Sequence, residues 1–98
     1  VSVSELQLPR SIRREFERAR TYLTQNRHKE AEALLLQVLR KHPQTDIADV
    51  HLLLAKIYLH DQDLDAVAEQ LEIYLRLAPQ GPTADGIRRD LEKYRSKK

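Results

Sequence analysis

The chain has 98 residues, of which 41% are hydrophobic and 33% are charged, with a formal net charge of +2 at pH 7. This length is typical of one domain with a modest core, and the absence of cysteine excludes disulfide bonds, thiolate zinc sites and cysteine nucleophiles. No apolar run approaches the roughly 20 residues of a membrane span and no signal peptide is recognisable, so no membrane insertion is predicted and the compartment stays open.

Five helices are predicted after an N-terminal segment. Residues 1–8 alternate apolar and polar side chains as far as Pro9, which predicts a short strand or an extended linker. Apolar periodicity then predicts helices over about residues 10–25, 30–41, 47–60, 64–77 and 83–94. The third helix is apolar around most of its circumference, which predicts a central position. The fifth is more polar, as in a helix that caps the end of a domain.

Proline and polar residues mark the predicted helix ends. Pro43 ends the second helix, because proline lacks a backbone donor and restricts the residue before it. Thr45 or Asp46 can cap the third helix, and residues 79–82, Pro-Gln-Gly-Pro, separate the fourth from the fifth. The aspartates within residues 61–63 are predicted to cap a helix. The absence of methionine, even at position 1, predicts a processed product or a fragment of a longer protein.

Much of the chain repeats at an interval of 36 residues. Tyr22, Tyr58 and Tyr94 share this spacing. The same shift matches Ala19 with Ala55, Leu23 with Leu59, Leu35 with Leu71, Leu39 with Leu75, Arg40 with Arg76 and Pro43 with Pro79. A fixed period of about 20–50 residues is typical of solenoids, in which each unit buries its apolar face against its neighbours.

The two tandem units resemble the tetratricopeptide repeat family. Each has an alanine and a tyrosine in its first helix, a small or β-branched residue opening its second, a large apolar residue one turn later and a final proline. These residues are Ala19, Tyr22, Ala31, Leu35 and Pro43, then Ala55, Tyr58, Val67, Leu71 and Pro79. The chain departs from the family in its period, since the family repeats about every 34 residues. Glu15 and His51 occupy its usual tryptophan position.

The resemblance implies an all-α, right-handed solenoid of antiparallel helix pairs with five helices. It predicts a leader or linker over residues 1–9, followed by one domain over residues 10–98. That domain comprises repeat one over 10–45, repeat two over 46–81 and a capping helix over 82–98.

The resemblance also implies a non-catalytic scaffold for protein–protein interaction. In the family, a peptide or protein segment binds in the concave groove lined by the first helix of each unit. Carried over position by position, the groove residues are Arg13, Phe16, Arg20, Leu23, Asp49, Leu52, Lys56, Leu59, Arg88 and Arg89. Apolar anchors among cations favour an acidic or amphipathic peptide. The competing interpretation assigns the leucines to the core and the arginines to ordinary solvated surface.

Self-association is a second hypothesis, either as a homodimer or as an assembly module of a larger bacterial protein. Solenoids usually need about three units for stability, and this chain supplies two and a half. The first helix has no preceding unit to cover its outer side. Ile12 and Phe16 are therefore predicted to be covered by another copy or by an upstream domain.

The sequence predicts no enzymatic activity, cofactor or metal. No G-x-S-x-G elbow or glycine-rich loop is present, and no two of the four histidines stand at the i, i+4 spacing of a helical metal site. The aspartates at 61, 63 and 65, with Glu72, have the outer spacing of a calcium-binding EF-hand loop. Ala66 stands where that loop needs glycine, so helix capping is the favoured interpretation.

Nucleic-acid binding ranks third among the functional hypotheses. Basic clusters over residues 10–14 and 93–98 can contact phosphates. Aromatic residues for base stacking are scarce, and over the whole chain basic residues are mixed with acidic ones. The sequence therefore favours a protein or peptide partner over nucleic acid.

Overall fold

The structure is a computed structural model that describes residues 10–42 and 47–96. These residues form five helices: α1 (Arg10–Thr24), α2 (His28–Lys41), α3 (Ala48–His60), α4 (Leu64–Leu77) and α5 (Pro82–Ser96). The described part of the chain contains no strand, so the predicted all-α class and its five helices are confirmed. The segment predicted over residues 1–8, the helix-ending Pro43 and the caps proposed at Thr45 and Asp46 lie outside the described residues.

The helices begin and end within two residues of their predicted bounds. α5 differs most informatively, because Pro82 is its first residue rather than the last residue of the preceding break. Proline suits this position, since the first helical residues need no backbone donor and its φ is already helical. Gly81, directly before it, has φ +108, a left-handed conformation that glycine adopts without a steric penalty.

The described residues form two compact units. The first unit comprises residues 10–42, in which α1 packs against α2. The second comprises residues 47–96, in which α4 packs against both α3 and α5.

The core of the first unit follows the apolar stripes of its two helices. The side chains in it are all fully buried: Ile12, Phe16, Ala19, Ala31, Leu35 and Val38. The hypothesis that Ile12 and Phe16 need cover from another copy or an upstream domain is wrong, since both are fully buried in the single chain.

The core of the second unit is centred on α3 and α4. α3 contributes Ala48 and Ala55 to this core. Its other buried residues point in other directions around the helix: Val50, Leu53, Leu54 and Ile57. α4 buries Val67, Ala68, Leu71 and Tyr74. α5 buries Ala84, Ile87 and Leu91, and its other described side chains are exposed or half-buried.

The turn between α1 and α2 closes without glycine. Asn26 adopts φ 60, the left-handed conformation that ends many helices. The N–H of Arg27 donates to the carbonyl of Tyr22 at 2.8 Å, and that of Asn26 to Leu23 at 3.1 Å. This pair of bonds is the Schellman motif, which satisfies carbonyls that the end of a helix leaves unpaired.

The turn between α3 and α4 repeats this geometry 36 residues later. Gln62 has φ 62, the Asp63 N–H donates to the carbonyl of Tyr58 at 3.0 Å, and the Gln62 N–H to Leu59 at 3.0 Å. The sequence period therefore corresponds to a backbone period. As the aspartates predicted, Asp63 also caps α4, because its Oδ1 accepts from the Ala66 N–H at 3.2 Å.

Candidate functional site

The second unit contains an apolar cavity of about 220 Å³. Its walls come from α3, α4 and α5, through Leu52, Ala55, Lys56, Leu59, Val67, Leu71, Ile87, Asp90 and Tyr94. Pockets for drug-sized molecules are usually about 300–1,000 Å³. A cavity below that range, lined mostly by aliphatic side chains, is suited to a single apolar side chain.

A break in the repeat pattern accounts for the open space. Asp90 stands 36 residues after Leu54, which is fully buried. Asp90 is exposed and its side chain is shorter, so this part of α5 fills less apolar volume than the same position of α3. Tyr94, which does keep the repeat, is half-buried and forms another part of the wall.

The rim of the cavity carries one cation and one anion. Lys56 and Asp90 are both exposed, and within the described part of the chain neither forms a hydrogen bond or ion pair. Leu59 lies beside them and is 43% exposed, more than any other large hydrophobic side chain among the described residues. The site therefore combines an apolar floor with charges available to a ligand.

Three of the ten residues predicted for the groove line this cavity: Leu52, Lys56 and Leu59. Arg89 is exposed on α5 but does not line it. Arg88 lies in a different cavity of about 400 Å³, together with Glu72 and Arg95. There its guanidinium pairs with the Asp85 carboxylate at 3.0 Å and donates to the carbonyl of Pro79.

The four predicted groove residues of the first unit have different environments. Arg13 and Leu23 are half-buried, and Arg20 is exposed. Phe16 is fully buried, with the Arg20 guanidinium 4.6 Å from its ring centroid. Phe16 is therefore a buried residue of α1, and it presents no open apolar surface to a ligand.

The five helices form two repeated pairs, and α5 begins a third. A family model for the tetratricopeptide repeat matches residues 16–82. The chain belongs to the tetratricopeptide repeat family. Repeats of this family generally mediate protein–protein interaction and are typically non-catalytic. Searches of curated proteins and of solved structures returned no match.

Two further observations bound the kind of site that this tetratricopeptide repeat protein carries. No helix in residues 10–42 and 47–96 is long and apolar enough to cross a membrane. Among the same residues, no three histidine or acidic side chains are grouped as metal ligands would be.

Asp49, another predicted groove residue of these repeats, acts on the core of the second unit. Burial raises the pKa of the Tyr74 phenol above its usual value of about 10, and the negative charge of Asp49 raises it further. Tyr74 is therefore neutral at physiological pH. The half-buried Asp49 carboxylate has an electrostatic role inside the repeat in addition to any contact with a ligand.

Six of the nine lining residues are absent from the predicted groove. Ala55, Val67 and Leu71 are repeat positions of the family to which no binding role was assigned. The other three lie on α5: Ile87, Asp90 and Tyr94. The repeat period contained a signal for two of them, because Tyr94 continues the tyrosine series and Asp90 interrupts the position of Leu54. Ile87 was recognised as the apolar side of α5 but not as part of a site. The family's groove positions on α5 correspond to Arg88 and Arg89, and they do not include the residues of α5 that face the cavity.

Proposed function

We propose that this chain recognises an amphipathic peptide or protein segment at the α3–α5 cavity. An apolar side chain of the segment fills the cavity against Leu52 and Leu59, and a neighbouring carboxylate pairs with Lys56. The open apolar cavity beside the exposed Leu59 is the observation that supports this proposal. A ligand that fills this space and covers Leu59 removes apolar surface from water, which makes binding favourable.

The two parts of the site contribute differently to binding. Burying an aliphatic side chain fully is worth about 1.5–3 kcal/mol, so the apolar anchor supplies most of the affinity. An exposed ion pair is worth only about 0–1 kcal/mol. Lys56 and Asp90 therefore contribute mainly to specificity and to the rate of encounter. They favour a segment that places an acidic residue near Lys56 and a basic residue near Asp90.

The test is a selection from a displayed library of random peptides, using the complete chain as the bait. Enriched peptides are expected to share one large apolar residue with an acidic residue close to it. Their binding should fall at least tenfold in Leu59→Glu, which places a charge at the cavity mouth, and less in Lys56→Glu.

Arg76→Glu is the matched control, because Arg76 is an exposed cation on α4 outside the cavity. Circular dichroism confirms that each variant is folded. Selected peptides that bind Leu59→Glu as well as the parent chain would disprove the proposal.

Ile12 and Phe16 are buried without a second copy, so they give no support to the self-association hypothesis. Light scattering across a concentration series still measures it directly. A mass that stays at one chain at high concentration would leave the cavity available to other ligands.

A further inference from the structure

The two units carry opposite charge. Residues 10–42 contain nine lysines and arginines against four aspartates and glutamates, whereas residues 47–96 contain six against nine. The formal net charge of +2 for the whole chain conceals this difference. The positive net charge of the first unit, in a chain whose second unit is acidic, indicates that the first unit has an electrostatic role of its own.

Part of this positive charge lines a cleft between α1 and α2. The cleft has a volume of about 440 Å³, and its lining includes Arg18 and Arg40 together with Tyr22, Leu34 and Glu30. All of it belongs to the first unit, so it is separate from the α3–α5 cavity.

The two arginines of the cleft are not neutralised by the protein. Arg18 and Arg40 are exposed, and within the described residues neither pairs with a carboxylate. Arg27 shows the contrast, because its guanidinium lies 4.8 Å from the Tyr22 ring centroid and pairs with Glu30. The acidic residue of the cleft lining, Glu30, is thus already paired, and the arginines of the cleft remain available.

Arg18 also breaks the repeat. Its counterpart 36 residues later is Leu54, which is fully buried. The third copy has Asp90 at this position, so two of the three copies place a charge in the lining of a cleft or cavity. Arg40 has Arg76 as its counterpart, so Arg40 alone would carry no such signal.

We propose that the α1–α2 cleft is a second binding site, which takes an acidic protein segment. Carboxylates of the segment pair with Arg18 and Arg40, whose planar guanidinium groups suit two-point contact with a carboxylate. An apolar side chain adjacent to them packs against the half-buried Leu34.

Nucleic acid fits this cleft less well than an acidic segment. Base stacking needs an open aromatic face, and the Arg27 guanidinium already lies over the ring of Tyr22. Glu30 lines the same cleft, and its exposed ion pair with Arg27 offsets only part of its repulsion of a continuous phosphate backbone. Separate carboxylates can be placed so that they avoid Glu30.

The experiment measures fluorescence anisotropy of a labelled peptide of alternating glutamate and leucine, titrated with the complete chain at low salt. The comparison ligands are the same peptide with glutamine for glutamate and a 12-nucleotide single-stranded DNA. The variants are Arg18→Glu and Arg40→Glu, and the matched control is Arg76→Glu, the exposed counterpart of Arg40 in the second unit.

We expect the acidic peptide to bind, with at least tenfold weaker affinity in Arg18→Glu and Arg40→Glu and less than a twofold change in Arg76→Glu. The glutamine peptide should bind at least tenfold more weakly, and raising the salt concentration should weaken binding of the acidic peptide. Circular dichroism checks folding, and Arg18→Gln and Arg40→Gln give smaller losses without introducing repulsion.

Four results would overturn the inference. The first is no saturable binding of the acidic peptide, and the second is an equal loss in Arg18→Glu, Arg40→Glu and Arg76→Glu. The third is tighter, arginine-dependent binding of the oligonucleotide. The fourth is a loss of peptide binding only in Lys56→Glu, a variant of the α3–α5 cavity measured alongside the others. The last result would place the peptide in the α3–α5 cavity, so the two proposals fail separately.

Discussion

The α1–α2 turn and the α3–α4 turn have the same backbone and different side-chain chemistry. Each ends its first helix with a left-handed residue, Asn26 or Gln62, and with the same pair of backbone hydrogen bonds. The residue that follows differs, because Asp63 caps the next helix through Ala66 whereas Arg27 makes no side-chain cap. The turn geometry is thus determined by the repeat, and its side chains are free to serve other purposes.

The helices joined by these turns differ in the same way. Phe16 and Leu52 occupy one repeat position, yet Phe16 is fully buried and Leu52 is half-buried at the cavity. Arg18 and Leu54 occupy another, where a cation lining a cleft is replaced by a core side chain. Equivalent positions of a repeat can therefore be scaffold in one unit and binding surface in the other.

Truncating Phe16 and Leu52 in turn gives the largest expected test of the difference between the two positions. Phe16→Ala should lower the free energy of unfolding by about 3–5 kcal/mol, because it empties a fully buried site. Leu52→Ala should cost only about 1–2 kcal/mol, since its side chain is half-buried. Urea denaturation followed by circular dichroism measures both, and equal losses would show that Leu52 is core as well.

The two caps give the next largest difference. Asp63→Ala should lower the free energy of unfolding by about 1 kcal/mol, because it leaves the Ala66 N–H without its acceptor. Arg27→Ala removes an exposed ion pair with Glu30 and a stacking contact, which are worth a few tenths of a kcal/mol to about 1 kcal/mol. Thermal unfolding of both variants compares them, and a larger effect at Arg27 would contradict the capping argument.

Glycine substitutions in the turns should stabilise the chain by smaller amounts. Gln62→Gly removes the steric cost of a left-handed side chain, worth roughly 1 kcal/mol, although glycine loses part of this gain through its greater freedom in the unfolded chain. Asn26→Gly should gain less, since asparagine tolerates this conformation. A fall in melting temperature for Gln62→Gly would mean that its side chain makes a stabilising contact.

The units also differ in their response to alkaline pH, because Tyr74 has Val38 as its counterpart in the first unit. The pKa of Tyr74 is higher in the folded than in the unfolded chain, so its contribution is fully present below about pH 10 and is lost as the pH rises further. Stability should decline less above pH 10 in Tyr74→Phe. Asp49→Asn, which keeps the burial, should show an intermediate decline in the same titration.

Most of the fold could be predicted from the sequence because two independent signals agreed. Apolar periodicity gave the helices, and the 36-residue period showed how they pair. The family's small residues lie where expected, with Ala19 and Ala31 fully buried and Val67 nearly so. These features depend on close packing, which constrains residue size at each position.

The candidate site could be predicted only in part, because a repeat position does not determine exposure. Three of the residues in the groove pattern, Leu52, Lys56 and Leu59, line one cavity in the structure. It could not show that Phe16 is buried or that Arg88 pairs with Asp85, because both depend on the local partners of each side chain. The cleft of the first unit is lined by none of the predicted groove residues.

The missing cap at Arg27 has a consequence for where the first unit opens. The first backbone N–H groups of a helix have no partner within it, and α2 lacks the side-chain acceptor that α4 has in Asp63. The first turn of α2 should consequently exchange its amide hydrogens faster than the first turn of α4. This turn includes Glu30, which lines the α1–α2 cleft. A bound acidic segment should therefore slow amide exchange in the first turn of α2 and leave exchange in the first turn of α4 unchanged.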